Sequence, residues 1–78
     1  MKGKDLLARI VVDPKIMVGK PIVRGTRLTV QHIVGLLAHG MTPEEIIQEY
    51  GTLTSEDIFA CLLVARDAVA KKHPGQET

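Results

Sequence analysis

Large aromatic side chains are nearly absent from this sequence: Tyr50 and Phe59 stand alone, with no tryptophan. A core built from it must therefore come from Ile, Val, Leu and Ala, which the apolar share of 45% can supply. Cysteine is equally scarce. Cys61 has no second cysteine to pair with, which excludes an internal disulfide and suits a reducing compartment. No His/Cys cluster offers a closed metal site. With both staples excluded, a chain of 78 residues is expected to gain stability from a second copy of itself. Long apolar runs are missing too. Nothing approaches the ~18 consecutive apolar residues of a membrane span, and the first residues lack the apolar run and cleavage site of a secretory signal. The expectation is a single soluble, cytoplasmic domain over residues 1–78, working as a homodimer.

Net charge is also small, +1, but it is unevenly spread. Residues 1–30 carry seven basic groups (Lys2, Lys4, Arg9, Lys15, Lys20, Arg24, Arg27) against Asp5 and Asp13, giving +5. Residues 31–65 carry five acids (Glu44, Glu45, Glu49, Glu56, Asp57) and no Lys or Arg, giving −5. Such asymmetry points either to an anionic partner for the basic face or to a dimer that pairs its own two faces.

The front of the chain spells short strands. Arg9–Val12 ends at the turn pair Asp13-Pro14, and Ile16-Met17-Val18 stops at Gly19. Pro21–Arg24 and Arg27–Thr29 then flank Gly25-Thr26, a tight hairpin or bulge, with Pro21 starting its strand or lying at an edge.

Three helices follow, expected over about 30–39, 43–50 and 55–72. Thr29, Thr42 and Thr54 each fit an N-cap. Each follows an apolar residue (Leu28, Met41, Leu53) and precedes an isoleucine four positions on (Ile33, Ile46, Ile58), the pattern of a hydrophobic staple. Pro43 and Glu45 complete a capping box on Thr42. Gly40 and Gly51 stand where left-handed helix ends belong. Gly35, inside the first helix, invites close approach of another backbone. In the third helix Ile58, Cys61, Leu62, Ala65 and Val69 form one stripe. Phe59 and Leu63 widen it beyond what one short neighbour covers, which favours a dimer seam. The fold expected is α+β, mainly α: short N-terminal strands or a hairpin over 9–29, three helices over 30–72, and flexible ends at 1–8 and 73–78. Three helices joined by tight turns have the architecture of helix-turn-helix units.

Catalytic chemistry is not spelled. Gly25-Thr26-Arg27 runs into a strand-like segment, whereas a phosphate loop needs Lys directly before Ser/Thr and then a helix. His32 and His39 are two helical turns apart, roughly 10 Å, too far to share a metal. Cys61 falls on an apolar face, and the acids sit in helix first turns, where the dipole favours them. No nucleophile, base and oxyanion site assemble, so a non-enzymatic protein without cofactor or metal is expected. The remaining candidates are Lys20, Arg24, Thr26 and Arg27, two guanidinium forks around a Gly-Thr turn with a lysine upstream. They suit a partner protein or a nucleic acid. The competing reading has Arg24 or Arg27 paired with Asp13 or a helix acid to brace the hairpin.

Asp13-Pro14 followed by Gly19-Lys20-Pro21-Ile22-Val23-Arg24-Gly25-Thr26-Arg27-Leu28-Thr29-Val30 resembles the signature of the domain of unknown function 433 family. So does the continuation Leu37-Ala38-His39-Gly40, Pro43-Glu44-Glu45-Ile46, Tyr50, Leu53-Thr54 and Asp57-Ile58. Together they cover roughly residues 9–70. The resemblance implies a homeodomain-like helical fold and an antitoxin role of the VapB type. The partner implied is a PIN-like ribonuclease toxin, whose metal-binding carboxylates Arg24 or Arg27 would neutralise.

Double-stranded DNA as a second partner meets an obstacle in the sequence. The first turn of a recognition helix approaches the bases, and here it would be Ser55-Glu56-Asp57 or Pro43-Glu44-Glu45. Acids there repel phosphates, so DNA contact would fall to the basic strands. Three functions stay open: an antitoxin, a stand-alone helix-turn-helix regulator, and an interaction module that binds no nucleic acid.

Overall fold

The computed structural model describes residues 3–72. In chain order it contains α1 (Gly3–Leu7), β1 (Ile10–Val11), a left-handed turn (Met17–Gly19), β2 (Ile22–Val23), α2 (Val30–Ala38), α3 (Pro43–Glu49) and α4 (Ser55–Lys72). Mainly helical, with a two-stranded antiparallel sheet, it matches the expected class. Residues 73–78, expected as a flexible tail, lie outside the described residues. Within the lead over 1–8, expected to be flexible, Gly3–Leu7 is helical and packs against α4. Asp5 in its first turn suits the helix dipole, and five residues are too few to show a period.

β1 and β2 pair antiparallel, Ile10 opposite Val23 and Val11 opposite Ile22. The expected first strand is thus trimmed to two residues. A third limb adds itself through the bridge between Ile22 and Thr29, where Val23 N–H donates to Leu28 O (2.9 Å) and Val30 N–H to Pro21 O (2.9 Å). β2 starts immediately after Pro21, as a residue without an N–H demands.

Ile16-Met17-Val18 is no strand. Asp13 Oδ1 accepts from Lys15 N–H at 2.9 Å, and Ile16 N–H donates to Asp13 O at 2.8 Å, which folds the chain at Pro14. Met17 and Val18 then take φ of 52° and 56°, followed by Gly19 at 77°. A left-handed β-branched residue is rare, and each such L-residue costs roughly 1–2 kcal/mol. Val18 is nevertheless 92% exposed, so no burial offsets that strain.

All three threonine caps form. Thr29 Oγ1 accepts from His32 N–H (3.0 Å), Thr42 Oγ1 from Glu45 N–H (3.1 Å) and Thr54 Oγ1 from Asp57 N–H (3.3 Å). The Thr42 box is reciprocal, because Thr42 N–H donates back to Glu45 Oε1 at 2.8 Å. At the far end of α2, Gly40 (φ 101°) makes a Schellman closure: Met41 N–H donates to Leu36 O and Gly40 N–H to Leu37 O. Gly51 does not match its expected role. Its φ is not positive, and the exit of α3 is closed by Tyr50 N–H on Ile46 O and Leu53 N–H on Tyr50 O.

The core gathers Val23, Val30, Ile33, Ile46, Leu53, Ile58 and Cys61, with Leu28, Met41, Tyr50 and Val64 packed around it. Each staple thus places its isoleucine in one cluster. Fully burying such a side chain is worth roughly 1.5–3 kcal/mol. Two expectations are corrected here. The buried face of α4 is Asp57, Ile58, Ala60 and Cys61, while Leu62 and Val69, assigned to that stripe, are exposed together with Phe59. The helix leans on α2 and α1 with that face, leaving the other free. A Cβ added at Gly35 would meet nothing within 4 Å, so no backbone approaches there among the described residues.

Candidate functional site

The Gly25 turn is built by three hydrogen bonds. Thr26 N–H donates to Val23 O (3.0 Å), and Gly25 holds φ of 80° at the third position, a type II turn. Thr26 Oγ1 donates to Val23 O at 2.8 Å and accepts from Leu28 N–H at 3.0 Å. Its hydroxyl is therefore engaged within the turn it stabilises. Thr26 supports the site rather than offering a free donor.

Arg24 is the second residue of this turn and Arg27 follows it directly; both are exposed, and neither makes an ion pair among the described residues. The bracing pairs considered for them, with Asp13 or a helix acid, do not form there. Bracing falls to Arg9. Its Nη1 donates to Asp57 Oδ1 at 3.1 Å, while Asp57 Oδ2 accepts from Thr54 N–H at 3.0 Å. Asp57, only 8% exposed, thus closes a reciprocal cap on α4 and ties that helix to the strand side of the protein. One turn further on, burial first and the Asp57 charge second push the Cys61 thiol up to about 11. A neutral, buried thiol is inert as a nucleophile.

Of the four sequence candidates, Arg24 and Lys20 line two separate clefts, and Thr26 and Arg27 line neither of them. Arg24 lines one with Asp5, Ala8, Arg9, Thr54 and Asp57. Lys20 lines another with Gln31, His32 and His39. The histidines there serve separate partners. His32 Nε2 lies 3.1 Å from the Tyr50 hydroxyl, the rings edge to face, and His39 Nδ1 donates to Gly35 O at 2.8 Å. Among the described residues no three His, Cys, Asp or Glu side chains come together to hold a metal, and no helix is long and apolar enough to cross a membrane.

Arg9 and Asp57 were not among the sequence candidates. The spacing Thr54-x-x-Asp57 carried a signal for half of the pair, since it is the capping-box spacing with Asp in place of Glu. Arg9 has no local signal, because its partner lies 48 residues away.

These features define a mainly helical protein with a two-stranded sheet, a basic turn, and a part-buried ion pair between Arg9 and Asp57. Residues 10–64 match the family described as "Protein of unknown function (DUF433)", and the chain belongs to that family. It is also 58% identical over 24 residues to an uncharacterized protein of Archaeoglobus fulgidus, an alignment spanning 31% of this chain and 67% of that protein. No solved structure matches.

Proposed function

We propose that this protein is an interaction module of the antitoxin type, a homodimer in the cytoplasm that docks its basic turn on an acidic partner protein. The partner class is a PIN-like ribonuclease of a VapBC-like toxin–antitoxin pair. The observation that carries the reading is the pair of guanidinium forks, Arg24 within the type II turn and Arg27 directly after it, both exposed and unpaired among the described residues. Pre-organised forks lose little entropy when they meet carboxylates, and a cluster of metal-binding carboxylates is such a target. The test is inhibition of a ribonuclease encoded beside it, with and without alanine at both arginines. Loss of inhibition in the double variant, with folding retained, supports the proposal; unchanged inhibition removes it.

A second reading is a helix-turn-helix regulator that binds double-stranded DNA, favoured by the short turns joining α2, α3 and α4. Against it stand Glu44, Glu45, Glu56 and Asp57 in the first turns of α3 and α4. Phosphate attraction supplies most non-specific affinity, so DNA contact belongs to Arg24, Arg27 and Lys20. Anisotropy of a duplex from upstream of the protein's own gene, beside a scrambled one, separates the readings.

A further inference from the structure

The strand register carries one step further than the ladder itself. Ile10 faces Val23 and Val11 faces Ile22, so Arg9 stands opposite Arg24, and Arg24 N–H donates to Arg9 O at 2.8 Å. Residues directly opposite on paired strands share a face, and like charges there are destabilising. Here two guanidiniums occupy such a position and line one cleft of about 460 Å³. Asp57 answers only Nη1 of Arg9, and its own two oxygens are already taken by that bond and by Thr54 N–H. Nη2 and Nε of Arg9, and the whole Arg24 fork, have no acceptor among the described residues. The other charged group lining the cleft, Asp5, is exposed on α1 and makes no ion pair there. A hydrated, screened carboxylate offsets little of the field.

We infer that the cleft between Arg9 and Arg24 is a carboxylate-binding subsite, which takes one acidic side chain of a partner protein between the two forks. The inference rests on the proposed docking of the basic turn and names a second anchor for it, Arg9, held ready by Asp57. A planar, singly charged carboxylate can accept from two forks at once. A polyphosphate backbone suits the cleft poorly, because its neighbouring charges would meet Asp5 and the locked Asp57.

The test needs no identified partner. N-acetylglutamate amide and, separately, inorganic phosphate are titrated into the whole protein at constant ionic strength, following the arginine Nε–Hε signals by NMR. The expected result is a saturable, joint shift of the Arg9 and Arg24 signals with the carboxylate, weaker with phosphate. R24Q, at an exposed position, should weaken binding about tenfold or more with an unchanged backbone spectrum, and D5N should tighten it by a few-fold. Shifts that do not saturate, or that persist in R24Q, overturn the subsite. Stronger binding of phosphate overturns its assignment to a protein carboxylate. Neither failure touches the ribonuclease inhibition test, so the two proposals stand or fall separately.

Discussion

Asp57 makes more of its single charge than any other side chain here. It accepts from the Thr54 N–H, holds the Arg9 guanidinium, and adds to the rise that burial imposes on the Cys61 thiol one helical turn away. In D57A the return bond of the α4 capping box, from Thr54 N–H to the Asp57 carboxylate, is lost, worth about 1 kcal/mol, and so is a charge-assisted bond to a guanidinium that is 36% exposed. Solvent screening discounts the second loss, so a total of about 2 kcal/mol is expected from urea unfolding. D57N, which can keep the cap acceptor, should lose less than half of that. Cys61 gives a second residue-scale expectation, with a definite sign. Its folded-state value, about 11, lies above the ordinary 9.0. The unfolded chain therefore releases the thiol proton first, and stability falls as pH rises from 9 towards 11. The ceiling is roughly 2–3 kcal/mol for a shift of this size. Comparing wild type with C61A at about pH 8 and about pH 10.5 isolates the thiol from other titrating groups: the alkaline loss should be smaller in C61A, and equal losses would refute the assignment.

The helices owe their ends to single residues, and the glycines show how far that holds. Gly40 sits at φ of 101° in the Schellman closure of α2, so G40A should destabilise by about 1 kcal/mol even though an added Cβ meets nothing within 4 Å. Gly35 lies mid-helix with the same open space and no positive φ, so G35A should stabilise by about 0.5–1 kcal/mol. Thermal unfolding of the two variants would read opposite signs; a loss in G35A would mean that a second chain packs on that face. This contrast also marks what the sequence could and could not announce. Thr29, Thr42 and Thr54 were legible as caps because a cap is set by neighbours three residues apart, and α2, α3 and α4 fell within a residue of their expected bounds. Gly51 misled because Gly after a helix is permissive without being obligatory. The Ile16–Val18 run misled more deeply: its β-branched, apolar composition speaks for a strand, and only the Asp13 turn and the pull of β2 towards β1 bend it into a left-handed turn. The candidate site was half legible. Arg24 and Arg27 stood out beside their turn, whereas Arg9 acquires its place only from the register of two strands and an acid on a distant helix.

At the scale of the whole molecule, the surface of α4 is the feature least explained by the chain alone. Phe59 is 54% exposed, Val69 60% and Leu62 42%, and the three follow one another along the same side of the helix. Pro21, Val30, Val34, Val64 and Ala68 border Val69 in a groove of about 340 Å³, so the apolar surface continues beyond the helix. Contiguous apolar surface of this kind marks an interaction face more often than it marks idle surface. The homodimer proposed above would use it, and the charge distribution sets how two copies would approach. Residues 1–30 carry +5 and residues 31–65 carry −5, so an apolar seam along α4 would be flanked by acidic first turns and is strengthened, rather than weakened, by salt. That sign separates it from the docking of Arg24 and Arg27 on an acidic partner, which salt must weaken. For a dimer formed on folding, the unfolding midpoint rises with protein concentration. Wild type should show that rise, and sedimentation should show the mass of two chains, at physiological and at high salt. F59E together with L62E should abolish both effects, with little loss of intrinsic stability because both side chains are exposed. A midpoint independent of concentration in wild type, or a mass unchanged by the paired substitution, would assign the α4 face to a different partner and leave the basic turn to act on a single chain.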